Sequence, residues 1–196
     1  MRDFKKVFYM IVVILILGQY GCSEEKNAAY FVKAGNQFLE EGNVEMAINK
    51  FSDAINLEQN NSRLYLTRAY AYAIKGDYDK AINDDKIALS LDRKNPHILG
   101  VLGLTYFFKN DFKSAIHYLS NGINIPGDHL LLLTNRGVAY EKMAEWQKAI
   151  DDFKRAMEVS PENNQSTLKR RIAWILATCP DKAIRDGAKA LAMARL

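Results

Sequence analysis

Few residues in this 196-residue chain have the type and spacing that catalytic or metal chemistry requires. None of its three histidines, His97, His117 and His129, has a second histidine or a carboxylate at metal-site spacing. Cys179 stands beside Pro180, and no basic partner motif surrounds it to activate the thiol. The chain has neither a glycine-rich phosphate loop nor a serine nucleophile elbow. We predict no catalytic residue, no metal and no cofactor; the histidines should lie on the surface or in a groove, and Cys179 should be buried.

Composition excludes several further classes. The 27 basic and 23 acidic residues give a formal charge of +4, which is too small to indicate a nucleic-acid partner. Because the mean hydropathy is slightly negative, the chain is not a polytopic membrane protein. An apolar fraction of 48% excludes a disordered chain, and two cysteines exclude a disulfide framework.

The strongest apolar stretch lies at the N-terminus. Residues 1–6 carry three basic side chains, and residues 7–17 form an unbroken apolar run. Eleven helical residues span about 16 Å, roughly half of a bilayer core. The run is therefore too short for an ordinary spanning helix and has the layout of a signal-peptide hydrophobic region. Cys22 follows it and precedes a polar stretch, which makes residues 22–27 a candidate tether.

This arrangement resembles a bacterial lipoprotein signal, in which a small residue precedes an acylated cysteine. Gly21 and Cys22 match, whereas Gln19 and Tyr20 differ from the aliphatic and small residues that the family prefers. The resemblance implies a signal peptide over 1–21 and lipidation of Cys22, and Ser23 implies sorting to the outer membrane in a cell with two membranes. The periplasmic face of that membrane is the favoured location, with the cell surface as the alternative. An uncleaved anchor and ordinary cleavage nearby are the alternatives. We expect the chain to be exported and membrane-tethered by a lipid anchor or by its N-terminal segment.

The body of the chain is a fourfold repeat. The dipeptide Ala-Ile recurs every 34 residues, and no insertion interrupts the units 28–61, 62–95, 96–129 and 130–163. Each unit contains two amphipathic helical stretches and a short turn, and one such hairpin cannot bury its apolar face alone. We therefore predict a stack of hairpins. The small residues expected to let the two helices approach closely are Gly35, Gly103 and Gly137 in the first helix and Ala47, Ala81, Ala115 and Ala149 in the second.

The order of large, small, aromatic and alanine positions resembles the tetratricopeptide repeat (TPR). The four units cover 136 of the 196 residues. The resemblance implies an all-α, right-handed superhelical solenoid of antiparallel helix hairpins, whose first helices line a concave groove. Two positions depart from the pattern. Asp85 replaces the large apolar residue of the second helix, so we expect it to share Arg68 or to face solvent, and Ala144 replaces a turn residue that suits the left-handed conformation.

Charged residues form a second pattern within the repeats. Arg68 and Arg136 precede the small residue of the first helix, and their units carry Asp84 and Asp152 at one shared position of the second helix. The other two units have neither the arginine nor the aspartate at these positions. We predict a structural Arg–Asp ion pair that bridges the two helices of units two and four, and not a catalytic dyad. The basic run 169–171 is expected to be a solvated helix face, with contact to anionic headgroups as the alternative.

Residues 164–196 are predicted to form a degenerate or partial capping repeat. A helix over about 168–177 ends before Pro180, and a second helix follows from about Ile184. The stretch is similar to the degenerate repeat often found at the end of bacterial TPR proteins. Two alignments compete, and we favour the one that places Ala173 at the small position and lengthens the turn.

The TPR resemblance implies a partner-binding groove with an apolar, aromatic middle. Leu104 and Phe108 could equally belong to the hairpin core. The groove residues, transferred by repeat position, are Val32, Asn36, Arg63, Leu66, Tyr70, His97, Val101, Leu104, Phe108, Asn135 and Val138. A family branch that clamps C-terminal carboxylates requires a Lys/Asn/Asn/Lys/Arg set, of which only Asn36 is present. We therefore predict an extended or helical peptide with apolar anchors.

The sequence favours a non-catalytic protein–protein interaction adaptor of the bacterial cell envelope. An assembly factor for pilus or outer-membrane complexes and a regulatory subunit of an envelope enzyme are the alternatives. The expected partner is a protein, whose identity the sequence does not give, and not a nucleic acid.

Overall fold

The computed structural model describes residues 27–127, 129–162 and 165–194, which form ten α-helices and no strand. Residues 1–26, including Cys22, lie outside the described residues. None of the described helices is both long enough and apolar enough to cross a bilayer. The helices are α1 Ala28–Glu40, α2 Val44–Leu57, α3 Ser62–Lys75, α4 Tyr78–Leu91, α5 Pro96–Phe108, α6 Phe112–Ile123, α7 Leu130–Lys142, α8 Trp146–Val159, α9 Ser166–Thr178 and α10 Gly187–Ala194.

Helix starts recur every 34 residues in both halves of the repeat. The first helices α1, α3, α5 and α7 begin at 28, 62, 96 and 130, and the second helices begin at 44, 78, 112 and 146. Each first helix packs against its own second helix, and each second helix packs against the next first helix. In addition, α3 contacts α5 and α5 contacts α7, so the first helices share one face of the stack. The predicted all-α solenoid is confirmed.

Short polar side chains start most of the helices. The Asn27 side chain accepts a hydrogen bond from the backbone N–H of Tyr30 and thereby caps α1. Asn61 and Asn95 cap α3 and α5 in the same way. Such a cap satisfies one of the N–H groups that a helix leaves unpaired at its start, a contribution of about 1 kcal/mol.

The turn within each hairpin passes through a left-handed residue in all four units. Its φ is 78° at Gly42, 88° at Gly76, 67° at Asn110 and 57° at Ala144. Ala144 adopts this conformation although it is not a residue that suits it, and the same backbone hydrogen bond closes every turn. In the fourth unit the N–H of Glu145 donates to the carbonyl oxygen of Tyr140 at 3.0 Å. Ala144 therefore adopts a conformation that costs an L-residue about 1–2 kcal/mol.

Glycine in the first helix makes room for a large side chain of the second. A Cβ atom on Gly137 would lie 2.5 Å from Cε1 of Phe153, and one on Gly103 would lie 2.7 Å from Cγ of Leu119. Gly35 stands against a phenylalanine ring in the same way. The alanines expected at close contacts, Ala47, Ala81, Ala115 and Ala149, are all fully buried.

The C-terminal hairpin does not follow the 34-residue spacing of helix starts that the four repeat units share. Helix α9 begins 36 residues after α7, so Ala173 is the eighth residue of α9 as Gly137 is of α7. The last helix begins at Gly187, not near Ile184 as expected. Ile184 belongs instead to a turn in which its N–H donates to the carbonyl of Asp181 at 3.2 Å. Helix α10 has eight described residues against fourteen in α8.

Candidate functional site

The first helices expose large apolar side chains on the surface that they share, which we call the inner face. Tyr70 on α3 is 62% exposed, Phe108 on α5 is 56% exposed and Leu131 on α7 is 73% exposed. Ile74, one turn beyond Tyr70, is half exposed. Neighbouring first helices therefore present apolar groups that nothing in the described chain covers, a feature that marks interaction surfaces.

A cavity of about 450 Å³ lies between α5 and α7 on the inner face. His97, Val101, Leu104 and Asn135, four of the predicted groove residues, line it together with Leu131. Its walls are mainly apolar, and the imidazole and the amide supply polar groups, the usual composition of a binding cleft.

A different cavity, of about 960 Å³, lies at the N-terminal end of the stack between α1 and α3. Val32 and Asn36 line it, so the structure separates these two predicted residues from the α5–α7 cavity. Lys33, Glu40 and Glu41 make this second cavity more strongly charged. Val32 and Asn36 thus line a cavity that is more charged than the one between α5 and α7.

The remaining predicted groove residues are spread along the first helices. Arg63 is exposed at the start of α3, whereas Leu66 is half-buried. Val138 packs against the core around α8 and α9, so it serves the hairpin core at least in part. Sequence reasoning missed Leu131 and Ile74, although the 34-residue step from His97 and from Phe108 leads directly to them.

Each Arg–Asp pair is part of a larger arrangement that connects two hairpins. Arg68 Nε donates to Asp84 Oδ2 at 2.7 Å, and Nη2 donates to Oδ1 at 2.9 Å. The third donor, Nη1, reaches the hydroxyl of Ser52 in the preceding hairpin at 3.1 Å. The hydrogen bond with Asp84 raises the pKa of Arg68, so the guanidinium is charged.

The fourth hairpin repeats this geometry. Arg136 donates to both carboxylate oxygens of Asp152 at 2.7 Å and to the hydroxyl of Ser120 in the third hairpin at 2.9 Å. We call each set a Ser–Arg–Asp clamp. In each clamp both carboxylate oxygens and all three guanidinium nitrogens take part in hydrogen bonds, which is the arrangement of a structural pair. The serines were not predicted, because they belong to the hairpin before the arginine.

Asp85 contradicts both expectations for it, since it neither shares Arg68 nor faces solvent. The side chain is fully buried, and its Oδ2 lies 2.6 Å from Oγ1 of Thr105 on α5. Among the described groups Oδ1 has no hydrogen-bond partner. Arg68 is directed instead at Asp84 and Ser52. Burial raises the pKa of Asp85 to about 7.

The basic run on α9 is not simply a solvated face. Arg171 Nη1 donates to Glu141 Oε2 at 2.7 Å, an ion pair between α9 and α7. Burial raises the pKa of Glu141, and the charge of Arg171 opposes that rise. Lys169 is half-buried and Arg170 is exposed, while the Arg171 side chain is 40% exposed. The run therefore serves in part to attach the last hairpin.

The histidines and the thiol do not assemble into a reactive site. His97 and His117 are exposed, and His129 Nε2 lies 2.5 Å from the carbonyl oxygen of Ile125. Cys179 is buried in the core formed by α8 and α9. In the described part of the chain no three histidine, cysteine or carboxylate side chains are grouped as metal ligands.

Comparison with known proteins agrees with this architecture. Residues 62–95 and 131–163 each match a sequence model described as a tetratricopeptide repeat. No curated protein sequence matches the chain significantly. The fold is therefore that of an all-α TPR solenoid, which suggests protein–protein interaction and is typical of non-catalytic scaffold proteins.

Solved structures share this fold at low sequence identity. MamA 41-end from Desulfovibrio magneticus RS-1 is 16% identical with a TM-score of 0.71, over 86% of this chain and 91% of that one. PilW, a widely conserved type IV pilus biogenesis factor, is 16% identical with a TM-score of 0.67, over 86% and 78%. The first TPR of Spaghetti (RPAP3), bound to the HSP90 peptide SRMEEVD, is 18% identical with a TM-score of 0.55, over 61% and 94%.

Proposed function

We propose that the protein is a non-catalytic adaptor that binds a segment of another protein on its inner face. The observation that carries the proposal is the set of exposed apolar side chains on successive first helices, Tyr70, Phe108 and Leu131, beside the α5–α7 cavity. Large aromatic anchors in such positions contribute most of the affinity of protein interfaces. A TPR structure that holds a peptide, that of Spaghetti, supports the same use of the fold.

The chemistry of the inner face favours an extended or helical segment with apolar anchors. The α5–α7 cavity accepts one large apolar side chain, and Tyr70 and Phe108 offer flat surfaces to others. His97 and Asn135 supply hydrogen-bonding groups at the cavity, which fix the orientation of a bound backbone. Asn36 remains the single match to a carboxylate-clamping set, so a free C-terminus is not the recognised feature.

The adaptor is further proposed to be tethered at a membrane of the bacterial cell envelope. Support comes from the short apolar run 7–17 followed by Cys22. Lipidation would supply about 0.8 kcal/mol of membrane affinity for each buried CH₂ group. Cys22→Ala should abolish incorporation of an alkyne-labelled fatty acid and release the protein from the membrane fraction. Retention of the variant at the membrane without label would instead indicate an uncleaved N-terminal anchor.

A role as assembly factor for a pilus or an outer-membrane complex is the second candidate. It is favoured by one observation, the structural similarity to the pilus biogenesis factor PilW. At 16% identity this similarity concerns the fold. Loss of pili on deletion of the gene, restored by the wild-type chain, would support this candidate.

Photo-crosslinking of the full chain in its own cells tests where the partner binds. Benzoylphenylalanine at Tyr70 should capture a partner, whereas the same group at Asn83, exposed on α4, should capture none. The partner segment that mass spectrometry identifies is then synthesised, and its Kd for the wild type and variants is measured.

Charge substitution then tests the inner face itself. Tyr70→Glu with Phe108→Glu should weaken binding of this segment at least a hundredfold. The control, Leu57→Glu with Val159→Glu, places two charges at exposed apolar residues that end second helices, and should bind normally. Equal crosslinking from Asn83, or normal binding by the inner-face variant with its helical circular dichroism intact, would exclude the inner face as the site.

A further inference from the structure

The junctions between hairpins are of two kinds. A Ser–Arg–Asp clamp crosses the junction from hairpin one to two, through Ser52 and Arg68, and the junction from three to four, through Ser120 and Arg136. The half-buried guanidinium connects both hairpins in each case. Hairpins one and two are therefore fastened to each other, and so are hairpins three and four.

The junction between hairpins two and three has no such clamp. The equivalent positions hold Lys86, Leu102 and Tyr118, which cannot form one, and Lys86 lies instead over the ring of Tyr106. An exposed ion pair, Lys109 with Asp79, does cross this junction, but exposed pairs contribute little. Apolar packing of α5 and one buried polar contact, Asp85 with Thr105, hold the junction closed.

This polar contact replaces an apolar one that the other junctions keep. The positions of Asp85 and Thr105 hold Phe51 and Ala71 at the first junction, and those two residues pack in one core. At the third junction they hold Leu119 and Ala139, which are fully buried. A carboxyl group therefore stands at the centre of a junction that is otherwise built as hydrophobic core.

The hydrogen bonds around Asp85 fit a protonated carboxyl group. Thr105 Oγ1 lies 2.6 Å from Asp85 Oδ2 and 3.1 Å from the carbonyl oxygen of Val101. A threonine hydroxyl has one proton to donate. If Asp85 is protonated, it donates to Thr105, and Thr105 donates to Val101, so the chain of bonds is complete. If Asp85 is ionised, Thr105 must donate to it and abandon the carbonyl.

The charged and titratable groups around Asp85 do not compensate an ionised form. On its own helix, Asp84 adds negative charge and Lys86 is directed at Tyr106. On α3, Arg68 is held by Asp84. On α5 the groups near the junction are the hydroxyl of Thr105 and the phenol of Tyr106, whose ring stacks on Tyr118 of α6. An ionised Asp85 would therefore be a buried charge without a counter-ion.

We propose that the junction between hairpins two and three is a proton-controlled hinge, closed when Asp85 is neutral and opened when Asp85 is ionised. The clamped pairs 28–91 and 96–159 move as two bodies. The open state exposes the carboxylate to water, where it has its ordinary acidity. Opening thus releases one proton at any pH between the ordinary pKa of an aspartate, 3.8, and the raised value of about 7 in the closed junction.

Hydrogen–deuterium exchange of the full chain in mild detergent tests the hinge. After correction for intrinsic exchange rates, the opening constant reported by amides of α4 and α5 should rise close to tenfold for each pH unit from about 4 to about 7 and level off above that. The rise should total about a thousandfold. Amides of α2 and α8, inside the two bodies, should show a much smaller dependence.

Asp85→Asn is the matched control because the amide has nearly the same size and can donate to Thr105 at every pH. In this variant the opening constant at α4 and α5 should not depend on pH. Three results would overturn the proposal: a pH dependence that survives in Asp85→Asn, exchange at the junction that does not change with pH in the wild type, or an equal loss of protection in all four hairpins. Asp85→Leu, which copies Leu119, provides a second variant with a neutral side chain.

Discussion

Removing the negative charge of one clamp should destabilise the fourth hairpin by about 3 kcal/mol. The Arg136 side chain is 13% exposed and that of Asp152 is 4% exposed, so both charges are largely desolvated. Breaking a buried pair by removing one partner costs about 3–5 kcal/mol, because the other charge is left uncompensated. Asp152→Asn retains one acceptor oxygen, and Ser120 still accepts from the guanidinium, which places the cost at the lower end.

Urea unfolding of the full chain, followed by tryptophan fluorescence, measures this loss. Both tryptophans, Trp146 and Trp174, lie in the fourth hairpin and on α9, with ring centroids 6.4 Å apart. With an m-value of about 2 kcal/mol/M, the midpoint should fall by about 1.5 M. Asp84→Asn breaks the matching clamp in the second hairpin, and it should shift the circular dichroism transition more than the fluorescence transition.

Transplanting the neutral pair of the third hairpin provides the decisive comparison. Leu102 and Tyr118 occupy the clamp positions there, so Arg136→Leu with Asp152→Tyr should recover most of the lost stability and end within about 1 kcal/mol of the wild type. A cost below about 1 kcal/mol for Asp152→Asn, or a double variant no better than the single one, would refute this account of the clamp.

Two further predictions concern the hairpin turn and the contact between its helices. Ala144→Gly should raise the free energy of unfolding by about 0.5–1 kcal/mol in urea, because φ is 57° there, whereas Gly76→Ala at φ 88° should lower it by about 1 kcal/mol. Gly137→Ala should lower it by about 1–3 kcal/mol, since the added methyl would lie 2.5 Å from Phe153. Combining it with Phe153→Val should yield a favourable coupling energy in a double-mutant cycle, and additive losses would show that the contact is not the cause.

The sequence predicts the helical stack well because each hairpin packs mainly against its neighbours. A repeat in sequence is then also a repeat in contacts, so the 34-residue step of Ala-Ile reappears in the helix starts. The Arg–Asp pairs could be predicted from the sequence for the same reason, because both partners lie in one unit. Ser52 and Ser120 could not be predicted, because comparison of single units does not show which side chain of the preceding hairpin contacts an arginine.

Asp85 shows where reasoning from charge alone fails. Its charge predicts contact with a cation or with water, yet the fold places Asp85 where the other hairpins have an apolar residue. Two residues that also differ from the repeat pattern indicate in the sequence that Asp85 is buried. Ala69 replaces the glycine that faces a bulky side chain elsewhere, and Thr105 replaces an alanine of the following hairpin. Asp85 is smaller than the phenylalanine or leucine at its position in the other hairpins, so it leaves room for the methyl group of Ala69. The hydroxyl of Thr105 is placed where it can bond to the carboxyl group of Asp85.

The hinge and the inner face act on the same junction. Tyr70 lies on α3 and Phe108 on α5, so a segment that contacts both spans hairpins two and three. Such a segment binds the closed junction better than the open one, and protonation of Asp85 favours the closed junction as well. Two ligands that stabilise the same state must increase each other's affinity by the same factor. The proposed partner and the proton on Asp85 are therefore coupled, although no side chain needs to contact both.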